Sequence, residues 1–160
     1  MLSTAGLSAA AIGGSANAAL LTFNYDYYAG EAGWSVTDSG GNVVISATGA
    51  TNISTSLSYS AALYYASGTS PYPAGYLYLV DVDLAAGDYS INLTDTWGDG
   101  WSYFSPVGGG MSAFVYGSYA LSFMSGSSNA GAFTVADVPA PGALALLGLA
   151  GLAAGRRRRD

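Results

Sequence analysis

Residues Tyr76 to Leu84 read YLYLVDVDL, and Tyr89 to Thr94, five residues on, read YSINLT. In the first stretch Val80 and Val82 fall on one face of an extended chain, and Asp81 and Asp83 on the other. In the second, Tyr89, Ile91 and Leu93 alternate with Ser90, Asn92 and Thr94. A period of two is the signature of a strand with one face in a core and one in water. The link, Ala85-Ala86-Gly87-Asp88, is turn-like in composition. This pair sets the expectation for the rest of the chain: antiparallel strands, each greasy on one side.

Working outward, the same signals recur. Leu20 to Tyr27 reads as a strand that ends in acidic and glycine-rich residues. Gly33 to Asp38 places Trp34 and Val36 on one face, Ser39-Gly40-Gly41-Asn42 is a turn, and Val43 to Ala47 is the return strand. Asn52 to Tyr59 is rich in Ser and Thr and reads as a weak strand or a loop. Ser67 to Gly75, with Pro71 and Pro73, reads as a loop. Asp95 to Trp101 reads as a loop with a tight Asp99-Gly100 turn. Ser112 to Tyr116 and Tyr119 to Met124 are joined by Gly117-Ser118, a two-residue hairpin signal. Ala132 to Ala136 is the last strand. About eight short strands, with no helical period in the body, predict an all-β fold: an antiparallel, jelly-roll-like β-sandwich. The 13 tyrosines suit it, because a ring can pack on a sheet while its hydroxyl stays wet.

Composition removes whole classes of function. Lys plus Arg is 4, and all four are Arg156 to Arg159. The body ahead of them has no cationic side chain. Of the 10 acidic residues, all but Asp160 lie in the body. Nucleic-acid binding needs a basic face and is excluded. Without His, Cys or Lys there is no Ser-His-Asp triad, no disulfide, no thiol nucleophile and no Schiff base. Carboxylates are the only strong acid/base groups left. A glycoside hydrolase could use two of them, but a body this small, without cleft-forming insertions, argues against one.

The two ends read differently from the body. Residues 1–18, MLSTAGLSAAAIGGSANA, are small and apolar and end in Ala16-Asn17-Ala18, an A-x-A cleavage pattern. They read as a secretory leader forming a short helix and cut before Ala19. Such a leader usually opens with Lys or Arg, and residues 1–18 have neither, so the true start is expected upstream or the n-region is shortened. At the other end, Val138-Pro139-Ala140-Pro141 is held extended by its prolines. Gly142 to Gly155 is then apolar on every side, with Ala143, Leu144, Leu146, Leu147, Leu149 and Leu152 as its helix formers. The run is shorter than the ~20 residues of a full span. Arg156, Arg157, Arg158 and Arg159 follow as a stop-transfer cluster, which the positive-inside bias keeps in the cytoplasm. The chain therefore divides into a leader (1–18), a sandwich (19–137) and a tail (138–160).

That tail resembles the PEP-CTERM sorting signal of bacteria that have exosortases: a Pro-Glu-Pro motif, a short hydrophobic helix and a terminal arginine cluster. It departs at Ala140, where the family usually has glutamate. The resemblance implies an exosortase-type processing enzyme as a partner, a transient inner-membrane tether through the helix, and cleavage near Pro139 to Pro141. It implies delivery to the cell surface or an exopolysaccharide matrix; together with the leader and the lack of catalytic side chains, this gives the expectation of a non-enzymatic component.

Within the body, Gly87 to Trp101 (GDYSINLTDTWGDGW) resembles segments of secreted bacterial β-sandwich repeats that carry Gly-x-Tyr and then Asp-x-x-Gly-Asp-Gly-Trp. The residues concerned are Gly87, Tyr89, Asp95, Gly98, Asp99, Gly100 and Trp101. Asp95 and Asp99 flank a glycine-rich turn, one way of presenting oxygen ligands to Ca²⁺. An EF-hand is excluded, because the third position from Asp95 is Trp97 and the twelfth is Pro106. A calcium site would need another geometry, with Asp81, Asp83 or Asp88 as further candidates. The plainer reading is that both aspartates cap turns while Trp97 and Trp101 pack the sheet edge. The alternative function is thus a calcium-dependent or aromatic glycan-binding module, with exopolysaccharide as its ligand.

Overall fold

The computed structural model describes residues 17–66, 75–101 and 112–137. The leader up to residue 16, the tail from residue 138 with its expected helix, and the loop expected at Ser67 to Gly75 (Gly75 itself apart) lie outside the described residues. The described chain forms ten strands. They are β1 (Asn17–Tyr25), β2 (Ala32–Asp38), β3 (Val43–Thr48), β4 (Asn52–Thr55) and β5 (Tyr59–Ala66), then β6 (Gly75–Leu84), β7 (Gly87–Asp95), β8 (Phe114–Tyr116), β9 (Tyr119–Leu121) and β10 (Ser128–Val135).

They make two five-stranded sheets with orders β5-β6-β1-β8-β9 and β10-β7-β2-β3-β4. Every pairing is antiparallel. This is the expected all-β sandwich. β1 pairs with β6 and β8 in one sheet, and β2 pairs with β7 and β3 in the other. Consecutive β2, β3 and β4 lie side by side in the second sheet, while β1 and β8, and β2 and β7, pair across long stretches of sequence.

The alternation read from sequence sets the layers. Val80 and Val82 are buried while Asp81 is exposed, and Tyr89, Ile91 and Leu93 are buried beneath exposed Ser90, Asn92 and Thr94. The Ala85-Ala86 link is shorter than the expected turn, because β7 already begins at Gly87. The expected weak strand or loop at Asn52 to Tyr59 resolves into β4, a short link and the start of β5. The rest of β5 carries no alternation and was not foreseen, because most of it is exposed on both faces. β10 starts four residues earlier than expected, at Ser128, with Asn129 and Gly131 inside it.

The sheets are joined by aromatic rings. Phe23 of β1 stacks on Trp34 of β2 with centroids 4.3 Å apart. The neighbouring Tyr25 is fully buried, so its hydroxyl needs partners on both sides. It accepts a hydrogen bond from Trp34 Nε1 at 2.9 Å and donates to the Ala50 carbonyl at 3.0 Å. Ala50 takes a left-handed backbone (φ 66°), the only non-glycine among the described residues to do so. Burial pushes the Tyr25 hydroxyl far above the ordinary tyrosine value, so it stays protonated and able to donate.

Strand directions sort the connections onto two poles. β1 starts, β6 ends, β7 starts and β10 ends at one pole, as the pairings Asn17↔Leu84 and Val135↔Gly87 show. The segments after β1, after β3, after β7 and after β9 lie at the other. Both ends of the domain therefore leave from the same pole, which we call the tail pole. Ala19, the first residue after the expected leader cut, is also where β1 becomes buried (1% exposed), while Ala18 is exposed.

Tyr25→Phe leaves Trp34 Nε1 and the Ala50 carbonyl without their shared partner. It should lower unfolding stability by about 1–3 kcal/mol, whereas Tyr64→Phe on the exposed edge should change it by less than ~0.5 kcal/mol. Urea denaturation, with midpoints compared at equal slope, checks both.

Candidate functional site

The pole away from the tail gathers the chemistry. Asp95 ends β7 and is buried. One carboxylate oxygen, Oδ1, accepts from the backbone N–H groups of Trp97 at 2.8 Å and Gly98 at 2.6 Å. The next residues must turn sharply, and Gly98 and Gly100 do so at φ 83° and 82°. At Gly100 a Cβ would lie 2.5 Å from the Phe123 carbonyl oxygen, so the position excludes any side chain as well as favouring glycine. Trp101 then enters the core, 1% exposed. Its Nε1 donates to the Thr94 carbonyl at 3.1 Å, and its ring meets Tyr25 edge-on at 5.0 Å. Trp97 does the opposite and stands 80% exposed. Of the two tryptophans expected to pack the sheet edge, one is core and one is free.

The turn Ala29–Glu31, a single 3₁₀ turn, is tied to this loop. The Glu31 carbonyl accepts from Thr96 N at 3.3 Å and Thr96 Oγ1 at 3.2 Å. The tie brings in a third carboxylate: one oxygen each of Glu31, Asp95 and Asp99 lie within 4.8 Å of one another. Asp26, buried and accepting from Tyr28 N at 2.8 Å, adds a fourth negative charge nearby. Burial chiefly raises the Asp26 carboxyl above its ordinary value; the Tyr28 N–H opposes this, and the charges of Asp95 and Asp99 add to it. Glu31 is raised too, first by desolvation and then by repulsion from Asp95, Asp99 and Asp26. No cationic side chain exists in the body to relieve the repulsion.

Of the five aspartates singled out from sequence, the structure therefore brings Asp95 and Asp99 together. Asp81 and Asp83 lie on the outer face of β6, opposite Ser60 of β5 and Ser58 just before it, near the tail pole; Asp88, at the same pole near the start of β7, accepts from Thr134 Oγ1. β7 separates that pole from Asp95 by roughly 26 Å at ~3.3 Å per residue. The sequence reading missed Glu31 and Asp26. The signal available was the acidic, glycine-rich end of the first strand, 64 residues before Asp95 and so not local to it.

The second feature is at the tail pole. β10 ends at Val135, and only Ala136 and Asp137 follow within the described residues. Val138, Pro139, Ala140 and Pro141, the apolar run and Arg156 to Arg159 lie outside them. Pro139 is four residues past Val135 and so at most ~14 Å from it along the chain. No helix among the described residues is long and apolar enough to cross a membrane.

Residues 137–159 match the family model of the PEP-CTERM protein-sorting motif. No curated protein and no solved structure matches the chain.

The carboxylate cluster gives a signed pH dependence. Asp26 and Glu31 hold protons more tightly in the fold than their ordinary values of 3.8 and 4.5. Folding therefore takes up protons, and stability falls as pH rises from those values through the raised ones. Glu31→Gln should raise the melting temperature at pH 7 and lose that advantage near pH 4, which thermal melts at the two pH values would read. Gly100→Ala should destabilise at both, since the contact with the Phe123 carbonyl is steric.

Proposed function

We propose that this is an exosortase-processed protein, exported and sorted to the cell surface, whose sandwich is a non-enzymatic cargo domain that becomes part of the surface or of an exopolysaccharide matrix, as in a biofilm; the sorting motif at residues 137–159 supports the export and sorting. Before processing, the residues from Gly142 to Gly155 tether it to the inner membrane, and Arg156 to Arg159 hold the far side. The supporting observation is positional. The matched segment starts at Asp137, two residues after the last strand, so the motif hangs directly from the tail pole. In this reading a processing enzyme in the membrane meets the proline motif at that pole, while the carboxylate pole and Trp97 face away from the lipid. The lack of His, Cys and Lys in the body fits a domain that is carried and does no chemistry.

Fusing residues 137–160 to an unrelated exported reporter in a host with an exosortase tests the sorting half of this reading. The reporter should reach the cell surface and lose the tail, and replacing Arg156 to Arg159 with Gln should leave it unprocessed. A reporter that stays full length with the native tail contradicts the reading.

One observation favours a second reading, a calcium-dependent glycan-binding module. The Glu31, Asp95 and Asp99 oxygens are spaced as ligands of one Ca²⁺ at 2.3–2.6 Å could be, and exposed Trp97 beside them offers a ring face to a sugar. Titration calorimetry should then show heat with Ca²⁺, and with host exopolysaccharide only when Ca²⁺ is present. Glu31→Gln should abolish the first heat and Trp97→Ala only the second. Absence of heat with Ca²⁺ removes this reading and leaves the first intact.

A further inference from the structure

A groove of about 810 Å³ opens at the tail pole, between the β8–β9 hairpin and the end of β10. That volume lies in the ~300–1,000 Å³ range of ligand pockets. Tyr116 rests against Phe133 with ring centroids 4.9 Å apart, and the Tyr119 hydroxyl fills the place that a side chain at Gly131 would need. These contacts lock the hairpin to β10 and make one wall of the groove aromatic. Leu20 of β1 also lines it and is 53% exposed. None of the lining residues is charged. An uncharged, largely apolar hollow of this size marks a surface that something covers.

The chain itself supplies an occupant. Ala136 lines the groove, and Asp137 is the last of the described residues. Pro139 is three residues past Ala136, so it stays within ~11 Å of that rim. The segment that begins there, Val138-Pro139-Ala140-Pro141, is apolar, uncharged and held extended by its prolines. Extended proline segments dock in aromatic-lined grooves, where rings pack on the pyrrolidine faces and a preformed backbone loses little entropy. The groove also offers main-chain groups. Asn24 N donates to the Ala113 carbonyl at 2.8 Å, so even-numbered residues of β1 turn their N–H and C=O toward β8. Strand pairing on that side ends at Thr22, and the next such pair of groups, on Leu20, opens toward the groove. Ala140, between the two prolines, has the N–H and C=O to match them. A tether this short holds the motif at an effective concentration on the order of millimolar, so weak contacts suffice to seat it.

We propose that residues 138–141 dock in this groove of their own chain, with the proline rings against Tyr116 and Tyr119. The sandwich then holds its own proline motif at the tail pole. The docking stands on the groove alone, and its consequence rests on the sorting reading above. An enzyme that cuts within the motif must first draw it out, so the folded domain competes with the enzyme and slows the release of its own tail.

The chain has 5 prolines, so selective proline labelling gives a sparse NMR spectrum. In the full-length protein in detergent micelles, ring protons of Pro139 or Pro141 should show nuclear Overhauser contacts to the ring of Tyr116 or Tyr119. The contacts should survive ~10-fold dilution, as a tethered segment requires. Leu20→Ser should remove them and let a proline-specific endopeptidase cut the motif at least ~5-fold faster, with the melting temperature little changed. Leu63→Ser, exposed on β5 at the opposite edge of the sheet, should do neither. Pro139→Gly combined with Pro141→Gly alters only the tail, and should shift the Tyr116 and Tyr119 ring signals of an intact sandwich. Contacts missing from the native chain, contacts that fade on dilution as those from a second copy's tail would, or a Leu20→Ser chain cut no faster than the native one overturn the proposal. None of these readouts uses an exosortase, so their failure leaves the sorting reading standing.

Discussion

A tyrosine hydroxyl in a dry interior must be bonded on both sides or it costs a few kcal/mol. Tyr25 meets that demand by accepting from Trp34 of the opposite sheet and donating to Ala50 in the turn between β3 and β4. The constraint fixes how the sheets are placed on each other. Phe23 falls against Trp34, and Trp101 closes on the edge of the Tyr25 ring. Trp101 can reach that position only because Gly98 and Gly100 turn the chain beneath Phe123 and Ser125. The GDGW loop is therefore first a device for seating a core tryptophan. Its aspartates and the free Trp97 are displayed on the outside of the same turn.

The same strand directions separate the molecule's two kinds of business. The carboxylates of Asp26, Glu31, Asp95 and Asp99 collect at one pole, where burial and the charges of Asp95 and Asp99 raise the proton affinity of Asp26 and Glu31. The ends of the domain meet at the other, where the sorting motif begins two residues beyond β10. A body with no Lys, Arg or His cannot neutralise the first pole from its own side chains. Only pH and dissolved ions can offset that charge, so this pole is sensitive to its surroundings in a way that the aromatic core is not.

Much of this could be read from the chain, for a physical reason. β2, β6 and β7 each have one buried and one wet face, and Trp34, Val36, Val80, Val82, Ile91 and Leu93 announce it by alternation. β5 escaped because both its faces are exposed, so selection left no period in YSAALYYA. The two tryptophans of DTWGDGW could not be told apart by parity, since left-handed glycines break the alternation between them. Glu31 could not be joined to Asp95 because their meeting depends on the Thr96 hydrogen bonds across 65 residues. The sorting tail, by contrast, was legible without any structure. Its proline motif, apolar run and arginine cluster are recognised as a linear peptide.

The central claim is that one exported sandwich is freed at a single pole, by the loss of a leader before Ala19 and of a tail after the proline motif. The intact mass of the protein isolated from the surface or medium of its own host tests this most directly. The account predicts a species beginning at Ala19 and ending within Pro139 to Pro141, with any attached group as the remainder. A species carrying residues 142–160, recovered from the cytoplasm, would contradict it.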